Sequence, residues 1–184
     1  DFARTVAWKD SVVNRLTGGV AGLLKKSGVS VIPGMAEIVD GKTVTVATAG
    51  TTTSYRARHL VLATGSVPQA IKTLPFAGNV ISSTDLLSLP EIPPRLVVVG
   101  AGYIGLELGI AFAKLGSDVT VVEADERILP RWDTALTRPV ARRLEELKVS
   151  VITSAQAQRL TADGESLLIE QRGHGLRELP ADQF

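Results

Sequence analysis

The chain has 184 residues, 45% of them hydrophobic and 21% charged, with a net charge of +1. A charge so near neutral gives no reason to expect a nucleic acid or an anionic membrane as partner, and no apolar run approaches the roughly 20 residues that span a bilayer. The lack of cysteine excludes disulfides, thiolate metal sites and thiol nucleophiles within these residues, and no metal is expected.

Only His59 and His174 could act as imidazole ligands or bases. His59 opens an apolar run and His174 sits in a Gly-flanked polar turn, so both are expected to be structural or solvated. With so few reactive side chains, any chemistry belongs to a cofactor or to residues outside the chain. The opening DFARTVAWKD lacks the apolar core of a signal peptide, and a cytoplasmic protein is expected. The chain has no initiator Met, starts inside an apparent helix and stops at LPADQF without a closing turn. An internal piece of a longer protein is therefore expected.

In chain order, Val6, Val13, Leu16, Val20, Leu23 and Leu24 recur near helical spacing and predict a helix over residues 3–26. Lys25, Lys26 and Gly28 supply its stop. Val29–Ile32 is predicted as a strand closed by Pro33-Gly34. Asp40-Gly41 separates Ala36–Val39 from Thr43–Ala47, a hairpin signal, and AGTTTSYRA extends the meander. His59–Ala63 is predicted as a fully apolar strand leading into Thr64-Gly65-Ser66. Pro68, Pro75, Pro90, Pro93 and Pro94 then mark a linker or domain crossing. Within it STDLLSL is predicted helical, with Ser83 or Thr84 as N-cap.

From residue 95 the rhythm becomes strand, helix, strand, helix, strand: Leu96–Val99, Tyr103–Leu115, Asp118–Val122, Asp133–Leu147 and Val149–Thr153. Such alternation predicts an α/β fold with parallel strands and right-handed crossovers. Residues 156–179 are predicted as a hairpin whose clearest strand is Leu167–Gln171.

Gly100-Ala101-Gly102-Tyr103-Ile104-Gly105 is a GxGxxG placed directly after a strand and at the start of a helix. Gly100 allows the tight turn, Gly102 admits a pyrophosphate to the backbone, and Gly105 lets the helix pack on the strand. The free N–H groups and the positive end of the helix dipole hold the anion. Glu123 stands at the end of the next strand, where an acid accepts hydrogen bonds from a ribose diol and repels a 2′-phosphate. Asp125 and Glu126 add to an acidic field despite Arg127. NAD is thus favoured over NADP; the plain alternative is a solvated strand end. The helix is predicted to bury Ile104, Leu108, Ala111, Phe112 and Leu115, leaving Tyr103 and Glu107 together on another face. Glu107 is either a helix-favouring acid near the N-terminus or a group beside a bound nucleotide.

VVVGAGYIGLELG followed by VTVVEADERILPRWD resembles the NAD-binding domain of the pyridine-nucleotide disulfide oxidoreductases, nearest to their dihydrolipoamide dehydrogenase (E3) branch. The resemblance spans essentially the whole chain. HLVLATGSVP is similar to that family's second flavin contact, VSVIPGMAEIVDGKTVTV to the meander before it, and NVISSTDLLSLPEIPPRLVVVG to the crossing between FAD and NAD domains. The resemblance implies a partial FAD-binding domain over residues 1–92 and a Rossmann-like NAD-binding domain, incomplete at its C-terminus, over 93–184.

By the same resemblance, Gly100, Gly102, Tyr103, Ile104, Gly105, Glu107 and Glu123 form the NAD site, and Thr64 and Gly65 lie against FAD. Tyr103 covers the flavin and moves aside for nicotinamide. Glu107 approaches nicotinamide and flavin, and is the one catalytic residue implied here. The implied reaction is oxidation of protein-bound dihydrolipoamide, with electrons passing through a disulfide and FAD to NAD+. Implied partners are lipoyl domains of 2-oxo acid dehydrogenase complexes and a second copy of the full-length chain. Lacking the redox cysteines, the stretch alone is expected to be inactive. An NADH oxidase, a mercuric reductase, a soluble transhydrogenase and a non-catalytic NAD-binding module remain alternatives.

Overall fold

The computed structural model describes residues Asp1–Phe184, which form two compact units: Ala7–Val67, and Asp1–Val6 together with Pro68–Phe184. The cofactor-domain division expected near residue 92 is of another kind and falls inside the larger unit.

The smaller unit holds most of helix α1 (Phe2–Lys26) and a meander of β1 (Met35–Ile38), β2 (Thr43–Thr48) and β3 (Thr51–Arg56). Helix α1 stops where expected: Gly28 takes φ +69 and its N–H bonds the Lys25 carbonyl. The β1–β2 turn forms because the Asp40 carboxylate accepts the N–H groups of Lys42 (2.7 Å) and Thr43 (2.8 Å), the local bonding that favours Asp in turns. Strands β1 and β2 pair antiparallel as the Asp-Gly signal predicts, and β3 pairs antiparallel with β2 as expected of AGTTTSYRA.

Two expected strands do not form. Val29–Ile32 and His59–Ala63 have no strand pairing, and Val31 and Val61 are exposed. Apolar strands of this kind draw stability from neighbours on both edges and both faces, and neither run has a partner here. The Val29 N–H is instead spent on the Leu24 carbonyl at the end of α1.

The larger unit is a three-layer sandwich. Its middle layer is the parallel sheet β4 (Arg95–Val99), β5 (Asp118–Val122) and β6 (Ser150–Ile152), in that order, with Leu96 opposite Val119 and Val121 opposite Val151. Helices α3 (Tyr103–Leu115) and α4 (Thr134–Glu146) connect these strands. Because side chains alternate along a strand, the apolar run of β4 feeds two cores. Leu96 joins Leu106, Phe112, Val119, Val121 and Leu144 on the helical side, while Val97 joins Val122, Ile152, Leu167 and Ile169 on the other. That second core is closed by an antiparallel layer of β7 (Ala155–Leu160), β8 (Ser166–Gln171) and β9 (Gly175–Pro180). The expected hairpin over 156–179 is therefore a three-stranded meander. Its last strand, GLRELP, has one clear apolar position on its buried side and escaped the alternation signal.

Two further expectations need correction. Helix α2 (Ser83–Leu86) is capped by Ser82, not by Ser83 or Thr84. Ser82 forms a full capping box with Asp85: its Oγ accepts the Asp85 N–H (3.2 Å) while the Asp85 carboxylate accepts the Ser82 N–H (3.0 Å). Helix α3 buries Leu106, Gly109 and Phe112, whereas Ile104, Ala111 and Leu115 are exposed. The helix is apolar on nearly every side, so spacing alone could not choose its buried face. Helix α4 meets expectation, with Asp133 accepting the Ala135 N–H at 2.7 Å.

Candidate nucleotide site

The site is built where β4 ends and α3 begins. Gly100 leaves the strand at φ +105, a conformation that a Cβ would strain, and its N–H bonds the Val122 carbonyl at 2.8 Å. Gly102 is the N-cap of α3 and brings no side-chain cap, so the N–H groups of the first helical turn are left to an external acceptor. A Cβ on Gly102 would meet nothing within 4 Å, which leaves its backbone open to an approaching group. Gly105 differs: a Cβ there would overlap the Gly100 carbonyl oxygen and stand 3.0 Å from Val98 Cγ1. The three glycines thus do three jobs: turning, opening and packing.

Glu123 is not a solvated strand end. It directly follows the last residue of β5 and is 8% exposed. Its Oε2 accepts the Ala101 N–H at 2.6 Å, and its Oε1 accepts the Asp125 N–H at 2.8 Å. The strand end is also fixed through its backbone, the Glu123 N–H bonding the Ile152 carbonyl and its carbonyl accepting the Ala155 N–H. The carboxylate therefore stands directly beside the glycine turn, and each oxygen keeps lone-pair capacity for a further donor.

The loop after β5 closes on the same turn. Ile128 is buried in the helical-side core, and the Leu129 N–H bonds the Ala101 carbonyl at 3.0 Å. The Arg127 guanidinium donates to the Pro130 and Trp132 carbonyls, bracing its own loop. The Asp125 carbonyl accepts the Ser154 N–H at 2.8 Å. Glu126 pairs with Arg172 at 3.0 Å, but both side chains are largely exposed, so the pair adds little.

Of the expected site residues, the fold brings Gly100, Gly102, Gly105 and Glu123 together. Tyr103, Ile104 and Glu107 lie on the exposed side of α3, starting at the turn. Thr64 and Gly65 belong to the smaller unit, on exposed irregular backbone with Gly65 at φ +73. His59 and His174 are exposed. Sequence reasoning missed the parts played by the Ala101, Asp125 and Leu129 backbones, whose N–H and carbonyl groups their side chains do not announce.

Compared with known proteins, residues 1–184 match the family described as pyridine nucleotide-disulphide oxidoreductase. The chain belongs to this family. Among curated relatives, a dihydrolipoyl dehydrogenase of Pseudomonas aeruginosa is 50% identical over 100% of this chain and 39% of its own length. One from Bacillus subtilis is 40% identical over 94% of the chain and 37% of its own length. The chain thus spans about two fifths of the length of the relatives it matches. Among solved structures, LpdA of Mycobacterium tuberculosis superimposes with a TM-score of 0.84 at 25% identity, over 98% of this chain and 41% of that one. The HOCl-induced flavoprotein disulfide reductase RclA of Escherichia coli gives 0.77 at 30% identity, over 100% and 41%. The family works with a pyridine nucleotide and a flavin, the NAD and FAD expected from the sequence. No helix of the chain is long and apolar enough to cross a membrane.

Proposed function

We propose that the chain is the NAD-binding part, with a stretch of the FAD-binding domain before it, of an FAD-dependent dihydrolipoyl dehydrogenase of the cytoplasm. In this reading residues 1–92 belong to the FAD domain and 93–184 to the NAD domain. The observation that carries it is the buried Glu123 carboxylate beside the open backbone of Gly102, across a single turn. The 50% identity to the Pseudomonas aeruginosa enzyme supports the substrate class.

The residues fit a dinucleotide. The amides of Gly102–Gly105 hold the pyrophosphate, those of Gly100 and Ala101 being already bonded to Val122 and Glu123, and Glu123 takes the adenosine ribose while its charge opposes a 2′-phosphate. Ile104 and Tyr103 follow the nucleotide along α3, with Tyr103 covering the flavin. Glu107 lies toward the nicotinamide, and Thr64 and Gly65 contact FAD. Bound nicotinamide supplies a hydride acceptor. The overall reaction of the longer protein is oxidation of protein-bound dihydrolipoamide, with electrons passing by a disulfide and FAD to NAD+. The partners are lipoyl domains and a second copy of the full-length chain. This stretch alone is inactive in that reaction, since thiol–disulfide exchange needs cysteine and the chain has none.

Titration calorimetry should show NADH binding at least about tenfold tighter than NADPH, a gap of one charge-assisted contact; tighter NADPH binding would overturn the nucleotide assignment. For the longer protein, the measurement is NADH formation driven by dihydrolipoamide. Its absence would favour the second reading, another flavoprotein disulfide reductase, which the likeness to RclA supports.

A further inference from the structure

We infer that Glu123 is a positioning residue for the phosphate turn, in addition to any contact it makes with a ribose. The inference rests on the nucleotide reading above only for its binding test. Three bonds tie the turn to the end of β5 and the loop beyond it: Gly100 N–H to Val122 carbonyl (2.8 Å), Ala101 N–H to Glu123 Oε2 (2.6 Å) and Leu129 N–H to Ala101 carbonyl (3.0 Å). Only the second depends on a side chain. Ala101 is fully buried, so without the carboxylate its N–H would be left without a partner and out of reach of water. The other carboxylate oxygen is held by the Asp125 N–H, so the group cannot turn aside without breaking a second bond. The carboxylate therefore fixes the two residues that precede Gly102, and with them the direction in which the first N–H groups of α3 point.

A residue acting only through ribose hydroxyls and one acting through the turn give different results with a shortened ligand. In the intact chain, Glu123→Ala should weaken NADH by about tenfold or more, and should also weaken the analogue lacking both adenosine-ribose hydroxyls by at least about threefold, because the turn holding the pyrophosphate is disturbed in either case. If Glu123→Ala leaves affinity for the dideoxy analogue unchanged, the residue serves the ribose alone and the inference is overturned. A second readout needs no nucleotide. The Ala101 amide should exchange its hydrogen slowly in the parent chain and much faster in Glu123→Ala; equal rates would overturn the inference. Glu123→Gln keeps the shape but offers one acceptor oxygen for two N–H donors. It should fold and leave either Ala101 or Asp125 unprotected, whereas full protection of both would also overturn the inference. Failure of the parent chain to bind either nucleotide would sink the nucleotide reading, while the exchange rates would still decide the role of Glu123.

Discussion

Gly105 faces the carbonyl oxygen of Gly100 so closely that a Cβ on it would overlap that oxygen, while Gly102, two residues beyond Gly100, has open space where its Cβ would be. Two glycines of one motif are thus required for different reasons. Gly105→Ala should destabilise the larger unit by about 1–3 kcal/mol, the usual cost of overpacking. Gly102→Ala should change stability by no more than about 0.5 kcal/mol, as for an unobstructed surface substitution, yet weaken NADH strongly. Chemical denaturation paired with NADH titration checks both. Equal stability losses in the two variants would contradict the division of labour.

Glu107 is exposed on α3 and is placed beside the nicotinamide only by the functional proposal. Glu107→Gln should leave stability within about 0.5 kcal/mol of the parent while lowering turnover of the full-length enzyme. Unchanged kcat and KM would reduce Glu107 to a solvated helix acid.

Stability should fall at the acid end of the pH range. The Arg95 guanidinium, bonding Asp182 from Nε (3.1 Å) and Nη2 (2.8 Å), holds the Asp182 carboxyl below its ordinary value of 3.8. Ser82 does the same for Asp85, first through its hydroxyl and then through its N–H. A carboxyl that is more acidic in the folded chain stabilises it fully above the unfolded value and ceases to do so as pH falls through the lower folded value. The loss should therefore begin just below pH 4 and deepen further down. Asp182→Asn should flatten this limb and, because the pair is partly exposed, its effect should shrink with added salt. Thermal melts from pH 2 to 6 check it; an Asp182→Asn profile parallel to the parent's would be the contrary result.

Ser82→Ala removes the cap of α2 and should cost about 1 kcal/mol. The change should be larger than that from Ser83→Ala or Thr84→Ala, the positions the sequence favoured. A ranking in the opposite order would show that the capping box does not hold in solution.

Local rules explain what could be read in advance. The place of the Gly-rich turn at a strand–helix junction, the order of β4, α3 and β5 and the Asp40 turn are each marked by residues close together in the sequence, and each formed where expected. What escaped depends on the third dimension. His59–Ala63 has the composition of a strand but finds no edge to pair with. Ile104 and Leu106 are equally apolar, and only the packing of α3 on β4 and β5 decides that Leu106 is the buried one. Glu123 was legible as an acid at the right strand end. Its bond to Ala101 was not, because an amide N–H carries no mark in the sequence.

Ala101 has both of its backbone groups committed to residues more than twenty positions away, one to Glu123 and one to Leu129. The six letters of the glycine motif therefore do not fix their own shape. Adding or removing a residue between 124 and 128 would move the phosphate turn without altering any residue in it, so this short loop should tolerate replacement of its exposed side chains but not a change in its length.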